Sequence, residues 1–294
     1  SRELGIPCIV GTGNGTELIK KSQNITVDCS SGSDGLVWGG ETKWEVKKYT
    51  VDTIHRPKTH VYINVGSPNE AFKSSFLPND GVGLAREEFI IASQIKIHPN
   101  ALIDFDKLED HKVKKQIEEL THGYPDKTDF YVQNLAQGIA KIGAAFYPKP
   151  VIVRFSDFKT NEYASLLGGS IYEPKEQNPM IGWRGASRYY DPRFEEAFGL
   201  ECAAIQQVRD VWGINNIIVM VPFCRTVDEG KKVLKTMAKY GLKRGKNGLK
   251  VYMMCEIPAD VILVDEFLEI FDGYSIGSND LTQLTVGIDR DNGD

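Results

Sequence analysis

The sequence predicts an α/β fold, and two features predict it. Short apolar runs recur along the chain, each ending in polar or charged residues, and between them lie segments whose apolar residues fall at helical spacing. The runs are nearly continuous rather than alternating, as expected of parallel strands buried on both faces. Such repetition suits a TIM-type barrel or a doubly wound sheet, and the pattern by itself leaves both open.

The first 40 residues stand apart. They are rich in glycine and serine, with apolar runs at Ile6 to Val10, Ile25 to Val27 and Leu36 to Trp38 separated by GTGNG and SSGSDG, which reads as small β-type units. The GTGNG stretch lacks the G-x-G-x-x-G spacing of a dinucleotide loop and is taken as turns. Residues 41–60 mix charge with threonine and one proline, without sustained apolar periodicity, and read as a linker. Strands are then expected at Val61 to Val65, Val82 to Arg86, Val151 to Arg154, Ile217 to Val221, Val251 to Glu256 and Tyr274 to Ile276. Helical spacing runs through Phe194, Phe198, Ile205, Val208 and Trp212, again through Val233, Leu234 and Met237, and again through Val261, Ile262 and Leu268. Asp104 to Phe146 reads as a helical excursion, and no internal repeat is visible.

Composition removes several classes of function. Hydrophobic residues at 41% and charged residues at 26% are ordinary globular values, against disorder or a fibrous chain. A net charge of -5 with scattered lysines gives no footprint for nucleic acid. No apolar run approaches the roughly 18 residues of a membrane span. The five cysteines, Cys8, Cys29, Cys202, Cys224 and Cys255, are odd in number and without a C-x-x-C pair, which fits a reducing cytoplasm. The opening SRELGIPCIV and the closing GIDRDNGD both read as cuts in a longer chain.

Several strand-like runs end in a charged residue: Arg86, Arg154 and Glu256, with Asn279 and Asp280 just past another and Arg184 within GWRG. In an α/β barrel the C-terminal ends of the strands converge on one mouth. Arginine forks match carboxylate and phosphate oxygens, and two carboxylates hold Mg²⁺ that keeps water and substrate oxygens as its other ligands. Taken singly, each residue has a plainer reading as an ion pair, a strand-end salt bridge or a helix cap; together they suit a phosphorylated or carboxylate substrate. His55, His60, His98, His111 and His122 lie outside this set and are expected at the surface, and Cys255 is expected in the core.

Met254-Cys-Glu-Ile-Pro258 followed by Gly273-Tyr-Ser-Ile-Gly-Ser-Asn-Asp-Leu-Thr-Gln283 resembles a signature of the phosphoenolpyruvate-utilising enzymes. That family comprises phosphoenolpyruvate synthase, pyruvate phosphate dikinase and enzyme I of the sugar phosphotransferase system. Asn178-Pro-Met-Ile-Gly-Trp-Arg-Gly-Ala186, Val151-Ile-Val-Arg-Phe-Ser-Asp-Phe-Lys159, Asn161-Glu-Tyr163 and Leu242-Lys-Arg-Gly-Lys-Asn-Gly-Leu249 look closest to the synthase branch. The resemblance spans essentially the whole chain. It implies a (β/α)8 TIM-type barrel over residues 61–294, incomplete at its C-terminal end, preceded by a linker at 41–60 and by the tail of a swivelling phosphohistidine domain at 1–40.

The resemblance also implies roles. Glu256 and Asp280 would coordinate Mg²⁺, Arg154 and Arg184 would hold the phosphoryl group in transfer, and Asn279, Arg86 and Arg290 would bind substrate. The histidine and the ATP site would lie before residue 1, and a cysteine acid/base on the last strand would lie beyond the end. The expected activity of the intact enzyme is the conversion of ATP, pyruvate and water to AMP, phosphoenolpyruvate and phosphate, in a cytoplasmic homodimer, with this stretch not competent alone. The alternatives are the dikinase or enzyme I, a Mg²⁺-dependent pyruvate lyase or aldolase, and an inactive truncated product.

Overall fold

The computed structural model describes residues 6–30, 34–48, 50 and 55–289, and the chain divides into two compact units, Ser1–Lys58 and Thr59–Asp294. In the first unit, β1 (Ile25–Asp28) and β2 (Leu36–Gly39) pair antiparallel, Ile25 opposite Gly39 and Asp28 opposite Leu36. The GTGNG stretch is a turn entering one helical turn at Gly15–Leu18, and the run Ile6 to Val10 forms no strand. Between 41 and 60 the described residues form neither helix nor strand.

The second unit is built on six parallel strands: β3 (Ile63–Val65), β4 (Val82–Arg86), β5 (Val151–Arg154), β6 (Ile217–Val221), β7 (Val251–Cys255) and β8 (Gly273–Ile276). Each pairs with the next in chain order, from β3 to β8. A doubly wound sheet reverses its strand order at a switch point. Unbroken succession is the wall of a barrel, here six strands of it, so the topology decides what the periodicity left open. The expected strands agree with the observed ones to within two residues at each end. In the register, Arg86 stands opposite Arg154 at the C-terminal ends of β4 and β5.

The sequence explains where the longer helices start. Asp126 caps Lys127–Phe146 by accepting the Thr128 N–H at 2.8 Å, and Thr226 caps Val227–Lys239 through the Glu229 N–H at 3.1 Å. Lys127–Phe146 turns Leu135, Ile139, Ile142 and Phe146 into the core, while Glu195–Gln206 buries Phe198, whose ring stacks on Tyr189 at 4.1 Å. Among the described residues no helix is long and apolar enough to cross a membrane.

Four of the five histidines are exposed as expected, but His98 is not. It precedes Pro99 and caps the helix Pro99–Ile103, its Nδ1 accepting the Asn100 N–H at 3.2 Å, and this turn carries the ring into the core. There Nε2 lies 3.1 Å from Glu173 Oε1 and the ring stacks on Tyr172. Burial lowers the imidazole pKa, against the pull of Glu173. Both Glu173 oxygens also accept from Arg188, at 2.8 and 2.5 Å, and the Arg188 guanidinium packs over Trp183 and Tyr163 at 4.0 and 4.6 Å. Arg188 Nε also donates to Trp183 O at 2.9 Å, holding the loop that carries Arg184.

Because Glu173 and Arg188 are both buried, Arg188→Met strands a carboxylate in the interior. Urea denaturation at neutral pH is expected to show a loss of about 3–5 kcal/mol. A loss below about 1 kcal/mol, the value of an exposed ion pair, contradicts this account.

Candidate active site

A cavity of about 480 Å³ opens at the C-terminal ends of β4, β5, β7 and β8. Six of the seven residues singled out from the sequence border it: Arg86, Arg154, Arg184, Glu256, Asn279 and Asp280. The seventh, Arg290, lies outside the described residues. Arg86 and Asn279 are exposed, whereas Arg184, Glu256 and Asp280 are buried.

The centre of the cluster is a residue that the strand-end reasoning missed, Asp157. Arg184 forks onto it, Nε to Oδ1 at 3.0 Å and Nη2 to Oδ2 at 2.6 Å, while Arg154 Nη1 lies 3.4 Å from Oδ2. Burial alone would raise the Asp157 pKa, but Arg154 and Arg184 outweigh it and hold the carboxyl below its ordinary value. Arg154 also donates through Nη2 to Glu88 Oε1 at 2.7 Å, and that oxygen accepts the Asp157 N–H at 2.5 Å. Burial works against both guanidinium charges, and the surrounding acids override it, so both stay protonated.

Arg184 reaches its place through the loop before it. Its Nη1 donates to Met180 O at 3.0 Å and to Asp280 Oδ1 at 3.1 Å, and its guanidinium packs over the Phe223 ring at 4.1 Å. Gly185 follows at φ +57°, and a Cβ there would stand 2.6 Å from Pro222 O. Only glycine lets this loop lie against the segment after β6.

Glu256 leaves β7 and is 1% exposed. Its Oε1 accepts the N–H of Phe223, a bulky residue held at φ +49° in the left-handed region. Such a conformation costs on the order of 1–3 kcal/mol and persists where the surroundings fix it. On the other side Gly277 comes close enough that a Cβ would stand 2.6 Å from Oε2. Burial pushes the Glu256 pKa up, with repulsion from Asp157 and Asp280 adding to it and Arg154 and Arg184 opposing, and the result is about 8. The cavity wall carries five carboxyls, from Glu88, Asp157, Glu162, Glu256 and Asp280, against four cations, from Arg86, Arg154, Lys159 and Arg184.

That balance would fit a divalent cation at Glu256 and Asp280, whose charge would offset the burial and the repulsion that raise the Glu256 pKa. Among the described residues no group of three His, Cys, Asp or Glu side chains is placed to hold a metal. A pair of carboxylates such as Glu256 and Asp280 would suit Mg²⁺, which commonly binds one or two carboxylates and fills its shell with water and substrate oxygens. Asp157 and Glu88 had sequence signals, an acid three residues after a strand-end arginine and an acid two after another. Such acids read equally well as loop or helix-start charges.

Residues 41–294 match the family profile described as "PEP-utilising enzyme, PEP-binding domain", and residues 1–32 match "PEP-utilising enzyme, mobile domain". The chain is 60% identical over 292 residues to the phosphoenolpyruvate synthase of Synechocystis sp., covering 99% of the chain and 36% of that protein. It is 52% identical over 293 residues to the phosphoenolpyruvate synthase of Escherichia coli, covering 100% of the chain and 37% of that protein. With that of Aquifex aeolicus the identity is 51% over 336 residues, covering 99% of the chain and 39% of that protein. The chain thus spans well under half the length of the curated relatives it matches.

The Glu256 shift has a definite sign. A carboxyl whose folded pKa lies above its unfolded value destabilises the fold as pH rises from the ordinary value, 4.5, through about 8. With EDTA present, the stability of Glu256→Gln relative to wild type is expected to grow across that window, reaching on the order of 2 kcal/mol above it. Urea midpoints measured against pH check this, and a pH-independent difference contradicts it.

Proposed function

Because the chain belongs to the PEP-utilising enzyme family, matching its PEP-binding domain over residues 41–294, we propose that its barrel is the pyruvate site of a phosphoenolpyruvate synthase. A phosphoryl group carried on a histidine of the mobile domain is transferred there to the enol oxygen of pyruvate. In the whole enzyme ATP first phosphorylates that histidine, releasing AMP and phosphate, and the working form is a cytoplasmic homodimer. Residues 1–40 belong on this reading to the mobile domain, 41–60 to a linker and 61–294 to the barrel.

The observation that carries the reading is the meeting of Arg154, Arg184, Glu256 and Asp280 around one cavity. Glu256 and Asp280 would hold Mg²⁺, and Mg²⁺ when bound supplies a Lewis acid beside the carboxylate and keto oxygens of pyruvate. Asn279, in the first turn of Ser278–Val286, would donate its side-chain amide to the pyruvate carboxylate. Arg154 and Arg184 would offset charge on the moving phosphoryl group, and their fixed protonation, with Arg184 forked onto Asp157 and Arg154 held by Glu88, means that little reorganisation is needed at the moment of transfer. Arg86, at the exposed rim, would draw in the anionic substrate, and Arg290 would assist it. Phe158 and Met254 add apolar surface to the wall, which would limit water in the cavity.

Calorimetric titration with oxalate, a planar mimic of enolpyruvate, tests the reading. Binding is expected with Mg²⁺ and not with EDTA, and Glu256→Ala and Asp280→Ala are each expected to abolish it. Equal oxalate binding with and without Mg²⁺, or binding retained in Glu256→Ala, contradicts the assignment.

A further inference from the structure

A second group of acids lies behind the strand that carries Arg154, and the chemistry proposed above does not use it. The two residues that follow β4 have different surroundings. Glu88 borders the cavity and holds Arg154 and the Asp157 N–H, whereas Glu87 is fully buried and does not border it. Neither carboxyl oxygen of Glu87 meets a hydrogen-bond donor. A partnerless buried acid requires an explanation.

What Glu87 does meet is Glu201, which projects from Glu195–Gln206 and is equally buried. Glu201 holds Ser156 twice, accepting its Oγ–H at 2.5 Å and its N–H at 3.1 Å. The Ser156 Oγ in turn accepts from the Tyr163 hydroxyl at 2.7 Å, and the Ser156 carbonyl accepts from the Tyr189 hydroxyl at 2.7 Å. Every polar atom of Ser156 is tied to this buried shell, and Ser156 lies between Arg154 and Asp157 in the chain. The other titratable groups facing the acids are Tyr131, Tyr163, Tyr189, Cys202 and Glu88, and burial raises the pKa of the three tyrosines and the cysteine, keeping them neutral. The arginines Arg154 and Arg188 are committed elsewhere, Arg154 to Glu88 and Asp157, and Arg188 to Glu173.

We infer that Glu87 and Glu201 share one proton, and that this singly charged pair positions Arg154 and Asp157 through Ser156. Glu87 in its acid form donates to Glu201, which leaves Glu201 the negative charge it needs to accept both bonds from Ser156. Burial first, and then mutual repulsion, hold the Glu87 pKa well above the ordinary value; burial takes Glu201 to about 7. Loss of the shared proton to solvent leaves two adjacent carboxylates with no cation between them. Glu201 then retreats and takes Ser156 with it, loosening the two residues on which Arg184 and the cavity wall depend. The positioning role rests on the reading of the cavity given above; the shared proton does not.

Glu87→Gln keeps the shape and an N–H for Glu201 but cannot titrate; should it fail to fold, the loss of a protonated-carboxyl infrared band from wild type on raising the pH carries the test. Oxalate affinity is measured at saturating Mg²⁺ against pH. Glu256 ionises in the same range with the opposite effect on metal binding, so the ratio of variant to wild type isolates Glu87. That ratio is expected to stay within about twofold between about pH 7 and 7.5, where the pair carries one charge, and to rise to about tenfold in favour of the variant near pH 9, the change produced by one decoupled ionisation. A ratio that does not move with pH overturns the positioning role. Infrared spectra near pH 7 are expected to show one more protonated-carboxyl C=O band in wild type than in Glu87→Gln, lost on raising the pH, and the absence of that difference overturns the shared proton. If the band is present but wild type binds no oxalate at any pH, the reading of the cavity fails and the positioning role with it, while the proton pair stands.

Discussion

The site is organised around one carboxylate. Asp157 accepts the fork of Arg184, faces Arg154, and has its own N–H held by Glu88, so three segments distant in sequence meet on it. Burying these charges carries a desolvation penalty of several kcal/mol per ion, and the interactions offset it only when nearly every donor and acceptor is used. Arg184 meets that condition, donating to Asp157, Met180 and Asp280 and packing over Phe223. An arginine fixed in this way offers a preset direction of charge to an incoming anion, which a flexible surface arginine does not.

The barrel wall supplies the positions and the connecting loops supply the partners. Arg86 and Arg154 stand side by side because their strands are in register. Arg184, by contrast, comes from a loop with no strand of its own, and it is placed by three independent anchors. Arg188 and Glu173 hold the loop from below, Gly185 lets it approach the segment after β6, and the Phe223 ring supports the guanidinium. Phe223 also gives its N–H to Glu256, so one strained residue sets Arg184 and Glu256 together.

Much of this was legible in the sequence, for physical reasons. Buried parallel strands leave near-continuous apolar runs, and a charge that ends such a run is costly unless it has work to do, so the strand ends and Arg86, Arg154 and Glu256 stood out. Asn279 and Asp280 were visible through the motif that follows β8. The partners were harder to see. Asp157, Glu88 and Glu201 make bonds across 27, 66 and 45 residues of chain, to Arg184, Arg154 and Ser156, and no local pattern reports a contact at that range. His98 misled because Lys96, Pro99 and Asn100 around it read as a surface turn, while the partner that draws it inward is Glu173, 75 residues away. Barrel and doubly wound sheet share one periodicity, and only the order of strand pairing separates them.

The central claim is that Glu256 and Asp280 form a divalent-metal site facing Arg154 and Arg184. A crystal structure with Mn²⁺ in place of Mg²⁺ and with oxalate, located by the anomalous scattering of manganese, tests it most directly. The account predicts a single strong peak at roughly 2.0–2.2 Å from a carboxylate oxygen of each residue, the range for a small hard cation, with oxalate between the metal and Arg154 and Arg184. A peak bound to other residues, or oxalate bound in the cavity with no metal beside Glu256, would contradict it.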